Sequence, residues 1–136
     1  MSQDLPQPIA NADSQPYWNG AREHKLLIRR CKACASLHFM PRHLCPECWS
    51  DQLEWVQSKG TGSVYSFSII RRAPLPAFAS RTPYVTALIE LDEGPRMVAN
   101  IVGADALSVR IGDKVGVVFE DRGDGALIPQ FKRTEA

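Results

Sequence analysis

Four cysteines constrain this chain more than any other feature. They form two C-x2-C pairs with ten residues between the pairs, and they are the only cysteines of the sequence: Cys31, Cys34, Cys45 and Cys48. A C-x2-C turn directs two thiolates at one point, and a second turn on a neighbouring hairpin completes a tetrahedron of ligands. The spacing therefore predicts a zinc ribbon, whose metal has no open coordination position and is structural.

Other interpretations of the cysteines are weaker. A disulfide framework is typical of small secreted chains, yet residues 1–13 are polar and include proline, without an apolar signal segment. A thioredoxin-like redox pair needs one C-x2-C beside a βαβ pattern, and this chain has two pairs without that pattern. Iron also binds four thiolates, and the segment Cys45-Pro46-Glu47-Cys48 is similar to rubredoxin. We expect zinc, with iron as the alternative, and a cytoplasmic location.

Two histidines lie inside the predicted ribbon. His38 and His43 both lie between the two cysteine pairs. Because four cysteines already satisfy a tetrahedral metal, we expect both side chains to face solvent.

Length and charge limit the remaining choices. A chain of 136 residues with 44% hydrophobic content can bury one moderate core beside a metal-stapled unit. No stretch approaches the length needed to span a membrane. Residues 22–42 hold six basic side chains and one acidic one. Since these do not form a continuous basic stripe, a solvated face is the preferred interpretation.

A short helix is expected ahead of the ribbon. Ser14 is a plausible N-cap, Pro16 is tolerated in the first turn, and the helix should run to about Lys25. Tyr17 and Trp18 are large apolar side chains on this surface helix. They predict packing against another domain or another chain, and we assign them to a partner interface.

The remainder of the chain predicts a mainly β fold. Ribbon strands are expected at 26–30 and 53–56. After residue 62 apolar side chains recur with a period of two, which predicts five further strands around Tyr65, Phe67 and Ile69; Val85, Ala87, Ile89 and Leu91; Met97, Ala99 and Ile101; Val115, Val117 and Phe119; Leu127 and Phe131. Glycine-containing turns at 92–95, 111–113 and 122–125 separate the strands, and 104–107 suits one helical turn. Five strands with a short helix after the third favour an OB-fold barrel over a generic sandwich.

The expected divisions of the chain are a disordered tail at 1–13, a helix at 14–26, the zinc ribbon at 27–56 and the OB-fold barrel at 57–136.

Several short motifs follow one another through the chain. They are Tyr17-Trp18-Asn19-Gly20, Arg30-Cys31-Lys32-Ala33-Cys34, Phe39-Met40-Pro41-Arg42, Cys45-Pro46-Glu47-Cys48, Gly60-Thr61-Gly62-Ser63-Val64-Tyr65-Ser66-Phe67, Arg72-Ala73-Pro74, Pro83-Tyr84-Val85 and Leu91-Asp92-Glu93-Gly94-Pro95-Arg96. In this order the chain from Tyr17 to Phe131 resembles the thiolase-associated zinc-ribbon OB-fold proteins, with a rubredoxin-like ribbon ahead of the barrel. Each motif alone is weak, whereas their combination is specific.

The resemblance implies an accessory role in acyl-CoA chemistry. Members of that family accompany thiolases, thiolase-like aldolases and acyltransferases, and the partner carries the catalytic residues. The implied protein is a non-catalytic subunit of a hetero-oligomer that docks on its partner and helps to enclose the CoA ester. The chain departs from the family at the residue after each cysteine pair, where Ala35 and Trp49 replace glycine. A side chain held at positive φ there costs about 1 kcal/mol, unless the turn adopts another conformation.

Three arginines are candidates for the CoA phosphates, which require positive charge. Arg71 and Arg72 end the first barrel strand, and Arg81 lies across the following loop. The alternative is that they are solvated loop charges.

The loop at 73–82 is a candidate docking element, because it is apolar where a surface loop is normally polar. Leu75 and Phe78 are assigned to the partner interface, and the prolines beside them stiffen the backbone. The alternative is that Phe78 folds back and caps the barrel.

Two other function classes remain as rivals. Zinc ribbons and OB barrels commonly bind nucleic acid, and Tyr65 and Phe67 are possible stacking residues. Charge argues against this class, because residues 56–136 contain ten basic and nine acidic side chains. A stand-alone acyl-CoA hydrolase or isomerase would need a catalytic constellation, and the sequence shows neither a nucleophile elbow nor a phosphate-binding glycine loop.

Overall fold

A computed structural model describes residues 8–39, 41–122 and 126–134 of the chain. It is mainly β, with one short α-helix, a three-stranded sheet and a closed five-stranded barrel. The first seven residues of the expected tail and residues 123–125 of the expected last turn lie outside the described residues. Within the described ranges, no helix is long and apolar enough to cross a membrane.

Helix α1 spans Gln15–Arg22 and is shorter than predicted. It starts where expected, with Ser14 at the N-cap position, but the Ser14 side chain makes no capping hydrogen bond to the helix and instead accepts from the Asn11 backbone N–H at 3.0 Å. It ends before Lys25 because His24 takes a left-handed conformation with φ 62°, and the Lys25 N–H then donates back to the Gly20 carbonyl at 2.9 Å. This is the usual way in which a left-handed residue closes a helix C-terminus.

The ribbon sheet consists of β1 (Leu27–Cys31), β2 (Leu37–His38) and β3 (Leu53–Gln57), in the order β2-β1-β3. Both neighbours run antiparallel to β1. The register places Arg29 beside His38 on one side and beside Trp55 on the other. The cysteine turns follow β1 and precede β3, so the sheet brings the two turns together.

The barrel contains β4 (Thr61–Ile70), β5 (Tyr84–Leu91), β6 (Arg96–Val102), β7 (Lys114–Asp121) and β8 (Leu127–Arg133). It closes in the order β4-β5-β6-β8-β7, with β7 pairing back to β4. Two 3-10 helices, at Pro76–Arg81 and Ala106–Ser108, lie in the connections after β4 and β6. Five strands with a helical turn after the third are the predicted OB arrangement.

The prediction from the period-two pattern that Tyr65 faces the barrel core was wrong. A β-bulge lies between Val64 and Ser66, so Tyr65 has no opposite residue on β5. An extra residue reverses which side chains face the core. Val64 is therefore buried before the bulge and Phe67 packs against the core after it, whereas Tyr65 is 48% exposed.

Helix α1 packs on the barrel and on the ribbon. Tyr17 is only 5% exposed and belongs to the same hydrophobic cluster as the barrel core. Its ring lies 5.5 Å from the ring of Phe39 and 4.8 Å from that of Trp18. Burial raises the pKa of the Tyr17 hydroxyl. Tyr17 is thus a core residue of this chain, which corrects its assignment to a partner interface, while Trp18 is half-buried.

Candidate metal centre and docking surfaces

The four cysteines converge as predicted. Their sulfur atoms all lie within 4.8 Å of one another. The Cys31 and Cys48 sulfurs are 3.6 Å apart, and those of Cys34 and Cys45 are 3.7 Å apart. Tetrahedral zinc with Zn–S bonds of about 2.3 Å separates its ligands by about 3.8 Å. The arrangement fits one four-coordinate ion.

The two cysteine turns have the same backbone geometry. In the first, the Ala35 N–H donates to the Cys31 carbonyl at 2.8 Å, and the equivalent bond from Trp49 to Cys45 is 2.9 Å. Ala35 and Trp49 both have φ 66°, so the turns keep the left-handed conformation that glycine normally supplies. The expected strain is therefore present at both positions, and no alternative turn relieves it.

Backbone N–H groups also point at the sulfur atoms. The Cys34 N–H lies 3.5 Å from the Cys31 sulfur, and the Glu47 N–H lies 3.4 Å from the Cys45 sulfur. Such donors stabilise thiolate charge. A metal ion bound here would be held by four thiolates with backbone donors behind them.

Four thiols this close cannot all ionise without a cation. The Ser36 hydroxyl and backbone lower the pKa of the Cys34 thiol to about 6. At Cys48 the Ser50 backbone N–H favours the thiolate, but burial and the neighbouring cysteines raise the pKa to about 12. Coordination of all four sulfurs therefore releases protons, and metal affinity falls as pH falls.

The prediction that both histidines face solvent was wrong for His38. His38 is buried, with 9% of its surface exposed, and neither ring nitrogen has a hydrogen-bond partner among the described residues. Burial, together with the charges of Arg29 and Arg42, lowers its pKa. His43 is exposed and lies 4.0 Å from the Asp13 carboxylate. Neither histidine belongs to the cysteine cluster.

The three candidate arginines differ in their surroundings. Arg71 and Arg72 are exposed at the end of β4. Arg81 instead donates to the Glu120 carboxylate at 2.6 Å, and Glu120 also accepts from Arg122 at 3.1 Å. Because Arg81 is committed to a carboxylate within the chain, it is less available to a phosphate than the other two.

The apolar loop after β4 presents one leucine to solvent. Leu75 is 48% exposed. Phe78 is partly covered, with its ring 6.0 Å from the Tyr84 ring and 5.7 Å from the Arg122 guanidinium. The loop thus divides its apolar residues between the barrel and the surface.

The exposure of two large apolar side chains was not predicted from the sequence. Trp49 is 77% exposed beside the metal centre, and Val98 is 64% exposed on β6. The position of Trp49 directly after a cysteine pair is a local signal of a surface turn. Exposure of Val98 follows from strand alternation, since Met97 and Ala99 face the core.

A four-cysteine metal centre on paired turns, followed by a closed five-stranded barrel, defines a zinc-ribbon OB-fold protein. The family model for the ChsH2 rubredoxin-like zinc ribbon domain matches residues 18–54, and the model for the ChsH2 C-terminal OB-fold domain matches residues 55–120. The chain belongs to this ChsH2 family, which confirms the predicted family and fold.

Relatives include subunits of enzymes that act on CoA esters. The chain is 37% identical over 127 residues to a probable enoyl-CoA hydratase alpha subunit of Thermomonospora curvata, covering 93% of this chain and 39% of the relative. It therefore spans about two fifths of that relative's length. Identity to the benzoylsuccinyl-CoA thiolase subunit BbsA of Thauera aromatica is 36%, over 76% of this chain and 71% of the relative.

A solved structure has the same fold along its whole length. The chain named Ltp2-ChsH2(DUF35) aldolase superimposes with a TM-score of 0.83 at 36% identity, covering 93% of this chain and 98% of that one. The chain is thus similar to proteins whose names refer to three different enzymes, a hydratase, a thiolase and an aldolase.

Proposed function

We propose that this protein is a non-catalytic accessory subunit that binds a thiolase-like enzyme and helps to enclose its acyl-CoA substrate. One observation carries the proposal. The same ribbon and barrel occur in proteins named as a hydratase subunit, a thiolase subunit and an aldolase. A unit common to different reactions supplies what they share, which is assembly and substrate enclosure, while the partner supplies the chemistry. The partner would be a thiolase, an aldolase or an acyltransferase.

The metal has a structural role in this proposal. Four cysteine ligands leave no position for a substrate or a water, so a bound zinc ion would hold the two turns and the ribbon sheet together. Reduced thiols of this kind suit the cytoplasm. Elemental analysis should find one zinc per chain, and Cys45→Ser should become sensitive to proteolysis because ribbon folding depends on the metal. Purified protein with neither zinc nor iron would contradict this role.

Direct identification of the partner tests the main proposal. The tagged full-length chain is purified from its native cells, and the co-purifying subunit is identified by mass spectrometry and then co-expressed with it. We expect a thiolase-like subunit whose turnover of an acyl-CoA requires this chain. Turnover by this chain alone, or a partner unrelated to CoA esters, would refute the proposal.

The loop after β4 supplies the first interface test. Leu75→Asp should weaken association with the partner, because an exposed apolar anchor loses its contact. Leu107→Asp is the matched control, since Leu107 is 50% exposed and Leu75 is 48% exposed. Both variants should retain their metal and their unfolding temperature. Equal association of the two variants would remove this loop from the interface.

The exposed arginines supply the second test. Replacing Arg71 and Arg72 together with glutamine should raise the KM of the complex for the CoA ester, because their charges would face its phosphates. Arg110→Gln is the control, as Arg110 is also an exposed loop arginine. An unchanged KM in the double variant would show that these charges are only solvated.

A further inference from the structure

One edge of the barrel is closed over only part of its length. Strand β6 pairs with β5 from Arg96 to Ile101, which is all of the strand except its last residue. On its other side, the ladder with β8 contains two pairs within the part of the chain that the structure describes, Ile101 with Phe131 and Val102 with Lys132. The first half of β6 therefore has a strand neighbour on one side only.

A side chain occupies the first position beyond the ladder. The backbone N–H of Asn100 donates to the Gln130 Oε1 at 2.7 Å, and the Gln130 Nε2 donates to the Asn100 Oδ1 at 3.1 Å. Gln130 is 3% exposed. The Gln130 side-chain amide thus takes the place of a neighbouring strand at Asn100, and it does so at that residue of β6 alone among the described residues.

The backbone of Val98 faces the same open edge. In an antiparallel pair, successive residues alternate between facing the partner strand and facing away from it. Asn100 faces away from β5 because its N–H donates to Gln130. Val98, two residues earlier, has the same orientation, so its N–H and C=O point to the side that β8 leaves uncovered. An uncovered strand edge is a template for another extended segment.

An apolar cavity lies beside this edge. It has a volume of about 320 Å³ and is bounded by β6, β8, helix α1 and the ribbon. Its walls include Trp18, Phe39, Val98, Ile128 and Pro129. A cavity of this volume accommodates one or two large side chains next to the unpaired backbone. Backbone pairing with a neighbouring side-chain pocket is the arrangement that recognises an added strand.

We propose that an extended segment of the partner enzyme pairs with β6 at Val98 and places an apolar side chain in this cavity. The inference rests on the proposed function and specifies how the partner docks. A strand satisfies the N–H and C=O of Val98, whereas an acyl chain would fill the cavity and leave both groups unpaired. A second copy of the chain pairing through the same edge is the alternative occupant, and the oligomeric state of the free chain distinguishes it.

Hydrogen exchange, measured by NMR on the free chain and on its complex with the co-purified enzyme subunit, tests the pairing directly. The Val98 amide should exchange at least about tenfold more slowly in the complex. The amides of Met97 and Ala99 face β5 and serve as internal controls, so their exchange should change much less. An unchanged Val98 amide in a complex that forms normally would overturn the inference and leave the proposed function intact.

A pair of variants adds an independent measurement. Val98→Pro removes the outward N–H while leaving the ladder to β5, and should weaken association at least about tenfold. Val98→Thr keeps the N–H and the branched side chain and should bind much like the native chain. Equal binding by both variants, protection of Val98 by acyl-CoA alone, or self-association of the free chain through this edge would overturn the inference. Failure of the native chain to form any complex would overturn the proposed function with it.

Discussion

Ala35→Gly should strengthen metal binding by relieving backbone strain. Ala35 has φ 66° in the first cysteine turn. An L-residue in the left-handed region costs about 1–2 kcal/mol, and glycine avoids that cost. Glycine also makes the unfolded chain more flexible, which offsets about 0.4–1 kcal/mol of the gain. The net stabilisation should be about 0.5–1 kcal/mol.

Ala33→Gly is the matched control. Ala33 is an exposed alanine of the same turn, and it is not among the residues with positive φ. Both substitutions change the unfolded chain equally, so the difference between them isolates the strain of about 1–2 kcal/mol. Because ribbon folding is coupled to coordination, that strain corresponds to about a 5- to 30-fold difference in zinc affinity.

Competition with a chromogenic chelator measures both affinities at one pH. Ala35→Gly should hold zinc more tightly than Ala33→Gly and at least as tightly as the native chain. Equal affinities of the two variants, or a weaker Ala35→Gly, would refute the assignment of strain to this turn.

Three further predictions concern stability. Gly62→Ala should lower the unfolding free energy by about 2 kcal/mol in a denaturant titration, because the added Cβ would press against the Glu90 carbonyl. Gly116→Ala is the control and should be nearly neutral, since the atom nearest to its added Cβ is a Thr134 methyl at 3.4 Å. Equal losses in the two variants would contradict the packing of β4 on β5. The pKa of His38 is lowered, so the stability that its neutral form supplies is present above the ordinary histidine pKa and is lost as pH falls below that value. In His38→Phe, the unfolding temperature should therefore depend less on pH between about pH 7 and pH 5. An unchanged pH dependence would argue against the burial of His38. Burial opposes ionisation of Glu120, but Arg81 and Arg122 lower its pKa overall, so its contribution to the unfolding free energy is present above the ordinary glutamate pKa and is lost as pH falls through the folded value. Glu120→Gln should lower the unfolding free energy by about 1 kcal/mol near neutral pH, measured by calorimetry, and by little in strong acid. An equal loss at both pH values would refute the ion pair.

The metal centre and the barrel could be predicted because their signals are local. Two C-x2-C turns specify their own geometry, and each barrel strand shows its buried face within a few residues. The strain at Ala35 was also readable, since that position demands a conformation that glycine normally supplies.

The errors arose where distant parts of the chain meet. Tyr17 and His38 are buried because the helix, the ribbon and the barrel pack together, and no pattern near either residue reports that contact. Tyr65 turns outward because of a bulge, which interrupts the alternation without a change in composition. The open edge at Val98 depends on how far β8 follows β6, which is a property of barrel closure.

The ion pair between Arg81 and Glu120 has a consequence for the kinetics of assembly. It ties the end of the 3-10 helix at Pro76–Arg81 to β7, and the nearby ring contact between Phe78 and Tyr84 ties the middle of that helix to β5. A segment fastened at two points loses little conformational freedom when it meets another surface. In the proposed complex, encounter through this loop should therefore be fast and weakly temperature-dependent, and the lifetime of that complex should depend on how well Leu75 is buried rather than on a slow folding step.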